Sequence, residues 1–402
     1  MILLSYALGF LAVLILIPCC VLVVQVLAAL APPRNAAKEQ TVAINLPDVC
    51  VLMPAHNEAA GIAKAIESML PQLSARTRLL VVADNCTDAT ASTVCALKSK
   101  CEFIELVERQ NSQFLGKGYA LDHGVKTMAS NPPDVVVVVD ADCEISHNAV
   151  QTLSQQCVAS KRPVQALYLM RSPENVGVKV KLAEFAWLVK NQVRALGFLR
   201  IGLPCQLMGT GMAFTWQQIS QAKLASGHIV EDMQLGVDLA LAGTPPLFCP
   251  NALVTSVFPS TAAGIAAQRT RWEHGHMSII VSQVPKLLWW GIRRRNMSAF
   301  AMAIDLCVPP LSLLTLLISG TFTASLLLAW MGGSVVPGVV SLVDFAMLGM
   351  SVISAWSGFG RSVISLWQLF QVPLYVLKKI PMYLYFFVKR QSAWVRSKRD
   401  GD

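Results

Sequence analysis

Long apolar runs occupy both ends of the chain and enclose a middle region of mixed character. Residues 2–31 contain no charged side chain and are long enough to cross a bilayer. This run lacks a basic leader and is longer than the apolar part of a signal peptide, which favours an uncleaved anchor over 1–31. Further apolar runs at 303–330 and 336–357 predict membrane or interfacial helices within 300–390.

The middle region, 47–260, alternates short apolar runs with polar turns and helical patterns, and a polar linker at 32–46 precedes it. The runs VCVLMPA, RLLVVA and FIELVE and the five valines at 135–139 are typical of buried strands. Strands that alternate with helices favour a parallel sheet with right-handed crossovers. PAHNEA follows the first strand in place of GxGxxG, so we expect a Rossmann-like α/β domain without the dinucleotide fingerprint.

Residues 261–299 have a helical pattern that predicts helices lying at the membrane interface. We expect the helix to break at Pro285, since proline cannot donate a helical hydrogen bond. Trp289 and Trp290 precede the arginines at 293–295, and aromatic and cationic side chains together favour the headgroup region.

The last apolar stretch precedes a basic tail at 391–402. Lys378 and Lys379 interrupt it, and a single crossing would place the basic tail outside the cell. We therefore expect a hairpin or interfacial helices here.

Composition agrees with a membrane protein. Of 402 residues, 54% are hydrophobic and only 14% are charged, whereas soluble proteins are about one quarter charged. Eleven cysteines are scattered without CxxC pairs, so we expect reduced, buried thiols and no zinc site.

The net charge of +9 is concentrated beside the apolar runs, at Arg34, Lys38, the arginines at 293–295 and the tail. This positive-inside pattern predicts a multi-pass membrane protein with its middle domain in the cytoplasm. The same placement disfavours a nucleic-acid-binding patch.

Acidic residues follow predicted strands or open a predicted helix at three places. Asp140 and Asp142 end the valine run, and in extended chain two residues spaced i, i+2 point the same way. Asp84 follows another strand, and Glu231 and Asp232 open a helix that ends near Gly243.

Each acidic place has a simpler interpretation. Asp140 and Asp142 could be solvated acids that cap a strand, and Asp84, Thr87 or Asp88 could cap the next helix. Acids in a first helical turn are favourable by themselves. At one edge of a sheet, however, the set suits recognition of a nucleotide, binding of Mg²⁺ or Mn²⁺ on a diphosphate, and removal of a proton.

Other enzyme motifs are absent from the sequence, which contains no HExxH, GxSxG or Walker A pattern. Lys117 in GKGYAL could bind phosphate or could be a simple loop lysine. A transporter would carry its polar residues within the membrane segments, whereas the acids here lie in the middle region. A metal-dependent nucleotidyltransferase is a second alternative.

The motifs MPAHNEA, ADNCTD, VVDADCE, GTGMAF, IVEDMQLG and QRTRW stand in the order found in membrane-embedded family-2 glycosyltransferases. Over about 47–295 the chain resembles the cellulose, hyaluronan and poly-N-acetylglucosamine synthases and ceramide glucosyltransferase. The resemblance implies a GT-A domain flanked by membrane helices, an inverting mechanism, and Mg²⁺ or Mn²⁺ as cofactor.

The resemblance also implies roles for individual residues. Asp140 and Asp142 match the metal-binding DxD, and Asp232, with Glu231 beside it, matches the general base. Gln268, Arg271 and Trp272 match QxxRW, in which an arginine fork suits phosphate and a flat ring suits a sugar. We expect the donor, most simply a UDP-sugar, to contact Pro54, Asn57, Glu58, Asp84, Lys117, Asp140, Gln268 and Arg271, and the acceptor to contact Gly209, Thr210, Gly211 and Trp272.

Two departures from the pore-forming synthases bear on the acceptor. Val230 stands where they have threonine before the ED pair, and the chain has few membrane segments. These features favour a single transfer onto a lipid-linked acceptor, such as a polyprenyl-diphosphate oligosaccharide of surface polysaccharide assembly. A processive polysaccharide synthase is the alternative. His274 and His276 receive no role.

Overall fold

A computed structural model describes residues 1–32, 46–173, 176–259 and 262–388 and divides them into two compact units. The sheet unit contains the described residues of 46–173 and 204–275, and the helical unit contains those of 1–32, 174–203 and 276–388. Nearly all of the predicted linker 32–46, with Arg34 and Lys38, and the whole predicted tail 391–402 lie outside the described residues.

Eight strands form a single sheet in the order β3-β2-β1-β4-β7-β6-β8-β5. The strands are β1 (Val49–Ala55), β2 (Thr77–Asp84), β3 (Ile104–Arg109), β4 (Val135–Val138), β5 (Glu144–Ile145), β6 (Val164–Arg171), β7 (Met212–Thr215) and β8 (Leu247–Val257). The helices are α1 (Ile2–Leu30), α2 (Ile62–Met69), α3 (Thr90–Lys98), α4 (Lys117–Met128), α5 (Ala149–Ser160), α6 (Val178–Leu188), α7 (Ala195–Arg200), α8 (Trp216–Ser220), α9 (Glu231–Leu241), α10 (Ala262–Arg293), α11 (Met297–Leu306), α12 (Leu311–Trp330), α13 (Val336–Ala355), α14 (Leu366–Leu369), α15 (Val372–Leu377) and α16 (Ile380–Val388).

The prediction of a parallel sheet is confirmed for one half of the sheet unit. Strands β3, β2, β1 and β4 run parallel, and β4 is buried throughout, as its valines require. The prediction is wrong for β7, which is antiparallel to both of its neighbours, β4 and β6. The crossover rule applies to strand–helix–strand units, whereas the chain between β6 and β7 passes through 174–203 of the helical unit.

Residues 174–203 were expected inside the domain 47–260, but the described part, 176–203, packs with the apolar helices of the helical unit. Leu182, Phe185 and Leu188 of α6 are buried in a cluster with Leu22 of α1 and Ile318 of α12. Burial of these apolar side chains outweighs their position in the sequence between two strands.

Within the described residues, three helices are long and apolar enough to cross a membrane: Ile2–Leu30, Leu311–Trp330 and Val336–Gly360. The first agrees with the expected anchor, and the third contains the predicted run 336–357. The predicted run 303–330 is divided, because Pro309 and Pro310 stand between the end of α11 and the start of α12.

Proline has the opposite outcome in α10, where the predicted break at Pro285 is wrong. The helix continues from Ala262 to Arg293, and Val284 and Leu287 on either side are buried, so tertiary packing offsets one missing hydrogen bond. After α13 the described chain forms the short helices α14 to α16, and the expected interfacial or hairpin arrangement stays a prediction.

A buried polar network joins three segments of the helical unit. The Arg194 guanidinium lies 2.8 Å from Asp305 Oδ1 and donates through Nε to Gln25 Oε1 at 3.0 Å. Gln25 Nε2 donates to the same Asp305 oxygen at 2.6 Å. All three side chains are buried away from water. Each therefore depends on the other two for its hydrogen bonds.

Removal of the Asp305 carboxylate is therefore expected to destabilise the protein strongly. Asp305→Ala leaves the Arg194 charge buried without its counter-ion, and the free energy of unfolding should fall by about 3–5 kcal/mol. Thermal unfolding in detergent measures the loss. The matched control is Asp122→Ala, which removes a surface pair with Lys126 and should cost less than about 1 kcal/mol. Equal losses in the two variants would contradict the role of the network.

Candidate active site

The two carboxylates after β4 are brought together by a tight turn. The strand ends at Val138, and Cys143 N donates to Asp140 O at 3.0 Å, which closes the turn over Asp140–Asp142. The expectation that these residues lie in extended chain is therefore wrong. The turn still places ligand atoms of Asp140, Asp142 and Cys143 within 4.8 Å of one another, the one such group among the residues that the structure describes.

Cys143 was not predicted as a site residue. Its buried thiol lies 3.4 Å from Asp142 Oδ1, and burial raises the pKa of this thiol well above its ordinary value. A protonated thiol can donate to the carboxylate but is not a ligand for a hard cation. Asp140 and Asp142 are both partly exposed, so their oxygens are the groups here that could hold Mg²⁺ or Mn²⁺.

The glycine-rich segment 209–211 is hydrogen-bonded to the turn at Asp140–Asp142. Asp140 N donates to Thr210 Oγ1 at 3.0 Å, and Thr210 is fully buried. At Gly211 a Cβ would lie 2.7 Å from the Ala166 Cβ, so only glycine fits between β7 and β6. Two of the four expected acceptor residues, Thr210 and Gly211, thus have structural contacts within the sheet unit.

Gln165, also missed from the sequence, holds the same segment in place. It is fully buried in β6, donates to Thr210 O at 2.9 Å and accepts from Met208 N at 2.8 Å. A buried amide side chain near the start of a largely apolar strand is the signal that could have identified it.

Lys117, the first residue of α4, lies at the centre of the acidic groups. Its ammonium is 2.5 Å from Asp140 Oδ1 and 4.0 Å from Glu231 Oε1, and it donates to Gly209 O at 2.7 Å. Gly118 permits this position, since a Cβ there would lie 2.6 Å from Ser226 O. Lys117 is therefore not an exposed lysine of a loop, because its side chain is largely buried among carboxylates.

Glu231 and Asp232 occupy the first turn of α9, as predicted. Burial raises the pKa of Glu231 to about 7, although the Lys117 ammonium acts in the opposite direction. Asp232 Oδ2 faces Gly209, where a Cβ would lie 3.4 Å away. Gly209 has φ +90°, and its missing side chain leaves room beside the Asp232 carboxylate.

Asp84 at the end of β2 forms a buried ion pair that the sequence did not reveal. Its Oδ1 lies 2.5 Å from an Arg109 nitrogen, and both side chains are largely buried. Asp84 and Arg109 are register partners of the parallel strands β2 and β3, so the pair depends on strand alignment. Asp84 does not cap α3; Asp88 accepts from Thr90 N at 2.9 Å at that position.

The loop after β1 is fastened to the loop after β2. Asn57, in a left-handed conformation with φ 54°, accepts from Thr87 N at 2.7 Å, and Glu58 N donates to Thr90 Oγ1 at 2.8 Å. Pro54 lies within β1 beside Val82 of β2. These predicted donor residues therefore sit near Asp84 at one edge of the sheet.

Gln268, Arg271 and Trp272 share one face of α10, as their i, i+3, i+4 spacing requires. Gln268 is buried, and Arg271 and Trp272 are partly exposed. His274 and His276 further along α10 are buried, and His276 lies 3.2 Å from Leu306 O through Nε2.

The raised pKa of Glu231 predicts a pH-dependent stability. Between its ordinary pKa of 4.5 and about 7, the folded protein binds more protons than the unfolded chain, so the free energy of unfolding falls as pH rises. Glu231→Gln should remove this loss, which amounts to about 3 kcal/mol at most. Melting in metal-free buffer at pH 5 and pH 8 measures it. Glu144→Gln, at a surface pair with Lys64, should keep the wild-type slope; an unchanged slope in Glu231→Gln would refute the assignment.

Lys117 should weaken the binding of a cation at Asp140 when no donor is present. Lys117→Gln removes a positive charge next to the carboxylate, so affinity for Mn²⁺ alone should rise about tenfold. Electron paramagnetic resonance of free Mn²⁺ in titrations without nucleotide measures this affinity. Lys126→Gln, at a surface pair with Asp122, is the control and should bind like wild type. Weaker binding by Lys117→Gln would contradict the competition.

Comparisons with known proteins identify the family of the chain. Residues 47–275 match the family described as "Glycosyltransferase like family 2". The chain is 28% identical over 268 residues to "Probable glycosyltransferase YdaM" of Bacillus subtilis, covering 62% of this chain and 60% of that protein. It is 31% identical over 255 residues to the "Beta-monoglucosyldiacylglycerol synthase" of Synechocystis, covering 61% of this chain and 50% of that protein.

The matched segment thus spans only about half to three fifths of these two relatives. A mannosyltransferase from Pyrobaculum calidifontis, solved with GDP-Man and Mn²⁺, has a similar fold, with a TM-score of 0.57 and 15% identity over 88% of this chain and 96% of that one. A mixed sheet with a carboxylate turn after its central strand is thus the GT-A architecture expected from the motifs. The chain belongs to the family-2 glycosyltransferases.

Proposed function

We propose that this glycosyltransferase moves a sugar from a nucleotide-sugar, most simply a UDP-sugar, to a membrane-associated acceptor with inversion at the anomeric carbon. The observation that carries the proposal is the grouping of Asp140, Glu231 and Asp232 around Lys117, with Asp142 in the adjoining turn. Asp140 and Asp142 supply a site for a metal-bound diphosphate, and Glu231 and Asp232, in different surroundings, supply a separate site for a base.

The residues after β4 fit a divalent cation. Asp140 and Asp142 offer hard oxygen ligands within 4.8 Å of each other and are partly exposed, which leaves coordination positions for diphosphate and water. When bound, Mg²⁺ or Mn²⁺ neutralises charge that develops on the leaving diphosphate. The Pyrobaculum mannosyltransferase was solved with Mn²⁺, which supports a metal of this class.

Asp232 is the better candidate for the base. Glu231 is held near Lys117 and has a raised pKa, so near neutral pH it is protonated in part. Asp232 has its Oδ2 next to Gly209, where an acceptor hydroxyl has room to approach. The hydroxyl oxygen forms a bond to the anomeric carbon as the bond from that carbon to the diphosphate oxygen breaks, and Asp232 takes the hydroxyl proton.

Donor binding is assigned to the edge of the sheet beyond β1, β2 and β4. Asn57, Glu58 and Asp84 would line the nucleotide pocket, with the Arg109 ion pair fixing the orientation of Asp84. Lys117 would turn from Asp140 to the diphosphate, because a lysine ammonium is a common partner of phosphate oxygens. Gln268, Arg271 and Trp272 would cover the diphosphate and the acceptor entrance from α10.

A lipid acceptor is supported by the helical unit. Three described helices are able to cross a membrane, which is few for a polymer channel. The Synechocystis relative is named for a glucosyldiacylglycerol product, so lipid acceptors occur among similar proteins. We favour a polyprenyl-linked glycan in the assembly of bacterial surface polysaccharide, at the inner membrane with the sheet unit in the cytoplasm. The exposed arginines at 293–295 support that orientation.

The test incubates membranes containing the chain with Mn²⁺ or Mg²⁺, labelled nucleotide-sugars, and diacylglycerol or polyprenyl-diphosphate glycans. Label should enter the lipid extract as one added sugar. Asp232→Asn should lower transfer by about 10²- to 10⁴-fold with unchanged donor binding, since only the base is lost.

Asp238→Asn, on the exposed face of the same helix, is the matched control and should retain transfer. Label in high-mass polymer would identify a processive synthase instead. Normal turnover by Asp232→Asn would exclude Asp232 as the base.

A further inference from the structure

One glycine of α10 is in contact with the residue that precedes the acidic pair. A Cβ at Gly275 would overlap Val230 Cγ1 and would lie 3.3 Å from Cγ2 and 3.4 Å from Cβ of the same valine. Val230 is only 5% exposed, and its branched side chain has a restricted choice of rotamers. Position 275 therefore has no space for a side chain.

Local conformation does not explain this glycine. Gly275 lies inside the continuous helix α10, where glycine is the poorest helix former after proline. It is not among the glycines with positive φ, unlike Gly209 and Gly211. The remaining reason for glycine is the close approach of Val230.

The contact joins the two helices that carry the functional residues. Val230 is the N-cap residue of α9 and is bonded directly to Glu231, one residue before Asp232. Gly275 lies four residues after Arg271 and three after Trp272, so the three occupy one face of α10. The distance between α10 and the start of α9 is thus set by the contact of the Gly275 Cα hydrogen with a methyl group of Val230.

We propose that Gly275 and Val230 are positioning residues, which set the distance between the Gln268–Arg271–Trp272 face and the Asp232 carboxylate. The proposal rests on the proposed function. A methyl group at 275 displaces Val230 by about 1 Å to restore normal contact, and the first turn of α9, with Glu231 and Asp232, moves with it. A misplacement of about 1 Å at a catalytic group lowers turnover about a hundredfold.

The experiment is a double-mutant cycle of Gly275→Ala, Val230→Ala and the two combined. Gly275→Ala should lower kcat about a hundredfold and change the donor Kd by a smaller factor, since the contacts of Gln268 and Arg271 shift while Asn57, Glu58 and Asp84 keep their places. Val230→Ala removes the obstructing methyl groups, so the double variant should recover most of the lost kcat. Gly349→Ala is the matched control, because that glycine also lies within a helix but has nothing within 4 Å; its activity should equal wild type.

Thermal midpoints of the same four proteins give a readout that does not depend on activity. Gly275→Ala should lower the midpoint, and Val230→Ala should reverse that change in the double variant. Full activity in Gly275→Ala, or a double variant no better than Gly275→Ala, would overturn the positioning role. If the folded wild type transfers no sugar in any assay, the proposed function fails, whereas the coupled midpoints still test the contact.

Discussion

The ammonium of Lys117 stabilises the negative charge that gathers beyond the end of β4. It lies 2.5 Å from Asp140 and 4.0 Å from Glu231, both of which are only partly exposed. Carboxylates brought together away from water repel each other and lose hydration, so the arrangement requires a cation nearby. One ammonium does not balance the carboxylates of Asp140, Asp142 and Asp232, and the excess negative charge would favour the proposed metal ion.

Close approach of the backbone makes this grouping possible. Gly118 lets the start of α4 lie against residues 224–226, which brings Lys117 to the carboxylates, and Gly211 lets β7 pack on β6 behind the turn. The backbone N–H of Asp140 then donates to the Thr210 hydroxyl, and the Thr210 carbonyl accepts a hydrogen bond from Gln165. Charged groups can be placed to within a few tenths of an ångström only when their supports are this rigid.

In the helical unit, buried polar contacts specify which helices associate. Its long helices are apolar on nearly every face, so packing alone does little to specify which helices associate. The network of Gln25, Arg194 and Asp305 adds direction, because each polar group has its partner within the bundle and would lack one elsewhere. Burial of this network next to apolar helices makes a single arrangement favourable.

Much of the site was predictable from local pattern. Strand β4, the acids that follow it, the acidic start of α9 and the face shared by Gln268, Arg271 and Trp272 all depend on residues close in sequence. The same is true of the end of α9, where Gly243 with φ +89° allows Thr244 N to donate to Leu239 O. Periodicity and turn chemistry determine such features because each needs only a few neighbouring residues.

Other features were decided by residues distant in the sequence. The Asp84–Arg109 pair required the register of β2 against β3, and the antiparallel course of β7 followed from a chain excursion through the helical unit. Pro285 stayed within α10 because its neighbours are buried, and Gly275 is explained only by Val230, 45 positions earlier in the sequence. The sequence alone determined which residues could carry charge and where the strands and helices form. Tertiary structure decided which charges meet, because ion pairs and close contacts depend on distances of a few ångströms that no local pattern contains.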